Sequence, residues 1–141
     1  MEVKTHHTID AGLCGRPTEL SPGHATVELT CTEIMRADAR GLVHGGFVFG
    51  VADYAAMLAV NEPTVVLGHA DVKFLAPVTT GQALVASAEV THVDGVKRRV
   101  RVRARSGGKL VFMGEFLCIV PSHHILDPKP AKATDSEGGS A

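Results

Sequence analysis

The chain has 141 residues, enough for one domain and too few for two ordinary ones. Hydrophobic residues make up 45% and charged residues 21%, which supports a packed core and excludes global disorder. The formal net charge of −1 and an aromatic fraction of 4% argue against nucleic acid as a partner, since a basic surface and stacking rings are both poorly supplied.

No apolar run reaches the ~18 residues of a membrane span, so no membrane partner is expected. The first dozen residues, MEVKTHHTIDAG, hold no apolar signal core, so nothing there marks the chain for export. Cys14, Cys31 and Cys118 are scattered and odd in number, with no CxxC pair. That fits a reducing cytoplasm and offers neither a disulfide framework nor a zinc site. The pairs His6-His7 and His123-His124 are poor chelates, because neighbours on an extended chain point apart; no metal is expected. No P-loop and no GxGxxG occur, so no cofactor is implied.

Residues 1–23 read as mixed, with turn signals at Gly12, Gly15-Arg16-Pro17 and Ser21-Pro22-Gly23. His24–Thr32 alternates apolar Ala25, Val27, Leu29 and Cys31 with polar neighbours, the period of a half-buried strand. Residues 33–43 are charged and irregular. Gly45–Val60 is rich in Ala, Leu and Met and stops at Asn61-Glu62-Pro63, which predicts a helix ~24 Å long. It is apolar on nearly every side and must be covered all round, which points to a second copy as part of the cover.

From Thr64 the pattern turns to strands: one extended run to Val78, a second at Ala83–Val93, a third at Val96–Arg105 and a last at Lys109–Val120. Asp94-Gly95 and Ser106-Gly107-Gly108 mark tight turns. The expected fold is α+β, one antiparallel sheet wrapped around one long helix, over residues 1–121. Residues 122–141, rich in Pro, Gly, Ser, Ala and Lys, read as a disordered tail.

The stretch Gly41-Leu-Val-His-Gly-Gly-Phe-Val-Phe-Gly-Val-Ala-Asp53 resembles the signature of hotdog-fold thioesterases, most closely the phenylacetic-acid-degradation type. In that family G-x-V-H-G-G leads into the central helix, with an acidic residue nine positions after the His. His44 and Asp53 meet that spacing, and Phe74-Leu75-Ala76-Pro77 followed by Gly81 is similar to the family's F-L-x-P…G segment. The resemblance implies a hotdog fold, an obligate homodimer with sheets joined edge to edge, and hydrolysis of an acyl-CoA thioester at the subunit interface. It leaves open whether dimers pair into a tetramer.

Asp53 is the only charged side chain between Gly45 and Val60. Burial would raise its pKa and suit it as a base near neutrality. It would activate water or attack the thioester carbon itself; a structural carboxylate bonded across a dimer interface is the competing reading. Gly45 and Gly46 sit where the helix begins, where unpartnered N–H groups and the positive end of the dipole suit an oxyanion. The resemblance assigns the donor to Gly46. His44 either polarises the carbonyl or holds the loop. Asp38 stands where many relatives carry Asn and, when ionised, has no donor to offer a substrate. No hydroxyl stands at Leu67, where some relatives place Ser or Thr; His69 and Asp71 are the nearby polar groups.

Lys97, Arg99, Arg101, Arg103 and Arg105 share one strand face, and Arg99 and Arg101 are candidates for CoA phosphates, against a solvated outer face. Phe47, Phe49, Tyr54, Met57 and Leu58 are the candidate walls of an acyl pocket. An acyl-CoA sensor is the competing function; a hotdog hydratase is disfavoured because no His lies within the helix.

Overall fold

The computed structural model describes residues 1–128. A short helix α1 (Ala11–Cys14) precedes strands β1 (Arg16–Ser21) and β2 (His24–Thr30), a 3-10 turn at Glu33–Met35, the long helix α2 (Gly45–Val60) and strands β3 (Val66–Phe74), β4 (Ala83–Asp94), β5 (Lys97–Ser106) and β6 (Lys109–Ile119). The strands form a single antiparallel sheet in the order β1-β2-β4-β5-β6-β3. The expected helix and the four strands after it are all present.

The mixed segment 1–23 holds α1 and β1, and β1 borrows its strand conformation from the β2 edge. Two local expectations are corrected. The run from Thr64 to Val78 is a strand only from Val66 to Phe74. Beyond it the Leu75 N–H bonds the Val111 carbonyl and the chain bends at Ala76. In the β4–β5 turn, Asp94 pairs with Lys97, so the turn residues are Gly95 and Val96. Gly95 has φ +60°, the first-position geometry of a type II′ hairpin. The expected tail is exposed over 122–128, and from residue 129 on it lies outside the described residues.

Side-chain parity decides which face of the sheet carries the helix. On β5, Val100, Val102 and Ala104 are buried and Arg99, Arg101, Arg103 and Arg105 are exposed. On β4, Leu84, Ala86 and Ala88 are buried in the same sense. Helix α2 crosses these inner faces and those of β2, burying Val51, Ala52, Ala55, Met57 and Leu58. The N-terminal segment covers part of the opposite side. Val3, Ile9 and Cys14 pack onto the core, and the His6 ring lies 6.2 Å from that of Tyr54.

Asn61 joins the segment to the helix end. It caps α2 in the left-handed conformation, φ +52°. Its side chain accepts from the Lys4 N–H at 2.8 Å and donates to the Glu2 carbonyl at 2.8 Å. Both ends of a buried amide are thereby satisfied.

Candidate active site

The loop before α2 is laced to the chain that follows β3. The Asp38 carboxylate accepts from the Arg40 N–H at 2.9 Å and the Leu42 N–H at 3.2 Å, closing a turn that Gly41 completes at φ +83°. Turns of this kind need a side-chain acceptor, which Asp and Asn both supply. Asp38 is exposed and its structural work is local. The Val43 N–H then bonds the Val78 carbonyl and the His44 N–H bonds the Met35 carbonyl, which holds the start of α2 against Phe74-Leu75-Ala76-Pro77.

A cavity of ≈ 380 Å³ lies at this junction, lined by Val43, Gly45, Val48, Phe74, Leu75 and Pro77 among others. A Cβ on Gly45 would come within 3.4 Å of the Phe74 ring. A Cβ on Gly46 would come within 3.1 Å of the His44 ring. The two glycines thus let one ring approach the helix start from each side. Gly46 is exposed. As the second residue of α2 its N–H has no carbonyl four residues back within the helix to bond. His44 is exposed, its backbone carbonyl accepts from the Phe47 N–H at 3.0 Å, and its ring meets the Phe47 ring edge-on at 6.2 Å.

Asp53 lies two turns further along α2. Its Oδ1 is buried and makes no hydrogen bond to any described residue. Burial pushes its pKa from 3.8 to about 6. The carboxyl therefore titrates close to the pH of a cell, and it is short of the partners a structural carboxylate normally has. Burial, with a smaller contribution from the Asp53 charge, pushes the Cys118 thiol up to about 12, so this thiol is inert.

The other candidates are not all brought to this place. Phe47 and Phe49 are half-buried, and Phe49 packs on Phe116 with ring centroids 5.5 Å apart. Tyr54, Met57 and Leu58 are 6, 1 and 0% exposed; within one chain they are core side chains rather than an open wall. Arg99 and Arg101 sit on the outer face of the sheet, away from α2, where Arg101 lies 3.9 Å from Glu89. His69 is also exposed on β3, where Asp71 stands two residues further along. A single chain does not join this charged row to the helix start. Phe74, named in the sequence only within the F-L-x-P segment and given no role there, borders Gly45 although it is 54% exposed, and a Cβ on Gly50 would meet nothing within 4 Å.

The family model of the thioesterase superfamily matches residues 40–112, a little over half of the chain. The chain belongs to the thioesterase superfamily. The matched span runs from the loop before His44 to the first part of β6, so it contains His44, Gly46, Asp53 and Phe74 together.

Among solved structures, this superfamily member is similar to the uncharacterised protein PH1136 of Pyrococcus horikoshii, with 48% identity, a TM-score of 0.89, and 90% of this chain and 98% of that one covered. It is also similar to the phenylacetic acid degradation protein PaaI of Thermus thermophilus, solved as a mutant. There the identity is 28% and the TM-score 0.69, with 76% of this chain and 93% of that one covered. The fold is thus the expected hotdog, and the expected likeness to the phenylacetic-acid-degradation type holds.

Among curated proteins, it is 47% identical over 84% of its length to a methylthioribose-1-phosphate isomerase of Aquifex aeolicus, of which it covers 26%. It is 33% identical over 89% of its length to the transcription factor FapR of Caldanaerobacter subterraneus subsp. tengcongensis, of which it covers 62%. The chain spans a quarter to three fifths of these two relatives.

Proposed function

We propose that the chain hydrolyses an acyl-CoA thioester to the free acid and CoA, with Asp53 and the Gly46 N–H as its working groups. The observation that carries this reading is Asp53: one carboxyl in an apolar helix, one oxygen buried without a partner among the described residues, and a pKa raised to about 6. A buried carboxylate left without a partner is unfavourable, and a group in that state is a candidate base.

In this mechanism the thioester carbonyl oxygen accepts a hydrogen bond from the Gly46 N–H, where the helix dipole favours developing negative charge. Asp53 takes a proton from a water whose oxygen bonds to the carbonyl carbon. The C–S bond breaks, and the CoA thiolate leaves and takes up a proton. Direct attack by the carboxylate, followed by hydrolysis of the anhydride, is the other route open to the same residue. His44, edge-on beside Phe47 and against Gly46, holds the approach to the carbonyl.

The working unit in this proposal is a homodimer. Strand β3 pairs with β6 on one side only and lies at the sheet edge. Its nine residues end beside Phe74 and Leu75, 54 and 46% exposed. A long unpaired edge with apolar side chains at its end favours pairing with a second chain. Arg99 and Arg101 reach a bound CoA in this reading only from another subunit, because their own sheet separates them from α2.

The decisive assay is release of free thiol from a panel of acyl-CoAs by wild type and Asp53→Ala. The expected outcome is turnover of at least one substrate by wild type and a loss of about 100-fold or more in kcat/KM for the variant with the fold intact. A second reading, a non-catalytic acyl-CoA sensor, is favoured by the likeness to a protein named as a transcription factor. Tight binding of acyl-CoA with no hydrolysis by wild type would establish that reading instead.

A further inference from the structure

The N-terminal segment is fixed to the rest of the chain at three places. Asn61 holds the backbone of Glu2 and Lys4 at the end of α2. His6, in the left-handed region at φ +58°, sets its ring beside that of Tyr54. Gly15, buried at φ +99°, passes so close to β2 that a Cβ there would come within 2.9 Å of the Glu28 carbonyl oxygen. A side chain is excluded at that place, and the residue before it, Cys14, ends α1, which packs on both α2 and β2. The segment is therefore built to hold Cys14 in one position.

That position lies in the field of Asp53. Burial, then the Asp10 carboxylate, then that of Asp53 push the Cys14 thiol above its ordinary value. Burial, and after it Cys14, push up the hydroxyl of the neighbouring Tyr54. Cys118, on the inner face of β6, feels the Asp53 charge as well. Asp53 thus has one thiol on the side of the sheet and one on the side of the N-terminal segment. Thr5, Asn61 and Ser106 are the buried polar side chains among the described residues, so no cation is enclosed with the carboxyl. The strands β2, β4 and β5 turn Val27, Leu84, Ala86, Val100 and Val102 to the core that α2 fills.

We propose that Cys14 is a positioning residue for Asp53: the N-terminal segment sets its thiol beside the carboxyl, shuts out bulk water on that side and so preserves a base for the hydrolysis. This rests on the hydrolase reading above. A thiol suits the place, because it packs as a small apolar group and is too weak a donor to hold the carboxylate in its charged form. A hydroxyl there would donate to the carboxylate and weaken it as a base.

Two measurements on the full chain test this, with melting temperature followed for each variant. The first is alkylation by iodoacetamide, which reads Cys14 because Cys31 and Cys118 are buried. Asp53→Asn removes a charge near the thiol, and alkylation at about pH 8 should become about twofold faster or more. Asp10→Asn keeps the cap of α1 and should give a rise of the same sign, which calibrates the assay. The second is the pH profile of kcat/KM on the acyl-CoA of the panel that wild type turns over fastest. In Cys14→Ser the acid limb should move about half a unit or more to lower pH, whereas in Cys14→Val, which stays apolar, it should keep its place. A merely structural role would lower melting temperature and move the limb in neither variant. An alkylation rate unchanged by Asp53→Asn, or a limb that Cys14→Ser leaves in place, overturns the inference and leaves the hydrolase reading standing. A wild type that hydrolyses nothing on the panel overturns the hydrolase reading and this inference together.

Discussion

Asp53 titrates in a window where its two possible roles separate. Its pKa is 3.8 when the chain is unfolded and about 6 when folded, because burial disfavours the charged form. A base with this pKa predicts kcat/KM that rises tenfold per pH unit below about 6 and levels off above it. The same shift acts on stability in the opposite sense. The folded state binds the proton more tightly, so the stabilisation is complete below pH 3.8 and is lost as pH rises through about 6. Asp53→Asn, which cannot ionise, should therefore melt higher than wild type at pH 7, and the two should converge below pH ~4. A series of melting temperatures from mildly acidic to neutral pH checks this. A variant less stable than wild type at neutral pH would mean that the ionised carboxylate has a stabilising partner, which is the structural role that competes with catalysis.

Asp38 and His44 show what one residue discloses without its neighbours. The resemblance sets Asp38 where relatives carry Asn, and its visible work is to accept two backbone N–H groups, which an amide oxygen does equally well. An Asp here closes the turn as an Asn would and lacks only the amide donor. The His44 ring lies against Gly46, a contact no sequence spacing contains.

Helix α2 was legible as an element because length, alanine content and the Asn61-Glu62-Pro63 stop agree. What covers it was not. The segment 1–15 has no strong period, yet it wraps one side of the helix and is held there by Asn61. Asn61→Gly tests this cleanly, since glycine keeps the left-handed cap and removes only the side-chain bonds. Hydrogen exchange at the Lys4 amide should accelerate, with stability falling by about 1–2 kcal/mol. Unchanged exchange at Lys4 would show that apolar packing of Val3 and Ile9 alone holds the segment. At the sheet, strict alternation in β5 disclosed both faces at once, and buried Val100, Val102 and Ala104 lie where the alternation put them.

At the scale of the molecule, the proposed dimer rests on the β3 edge and the exposed residues beyond it. Leu75 is 46% exposed in a single chain, so Leu75→Asp should leave the chain folded. If the edge is the interface, the charge would be trapped at it, and the dimer should weaken by about tenfold or more in analytical ultracentrifugation. Thiol-release activity should fall with the dimer fraction. A dimer unaffected by Leu75→Asp would move the interface elsewhere.

The amino-acid sequence alone is enough for the long helix, the four strands after it, the facing of β5 and the acid embedded in the helix. Each of these is written in local periodicity or in a single residue that breaks it. It does not disclose β1, the N-terminal cover, or the separation of Arg99 and Arg101 from Asp53. Those depend on which strand edge a neighbour offers and on which face of the sheet the helix crosses. Such contacts join residues far apart in the chain and leave no trace in any short window of sequence.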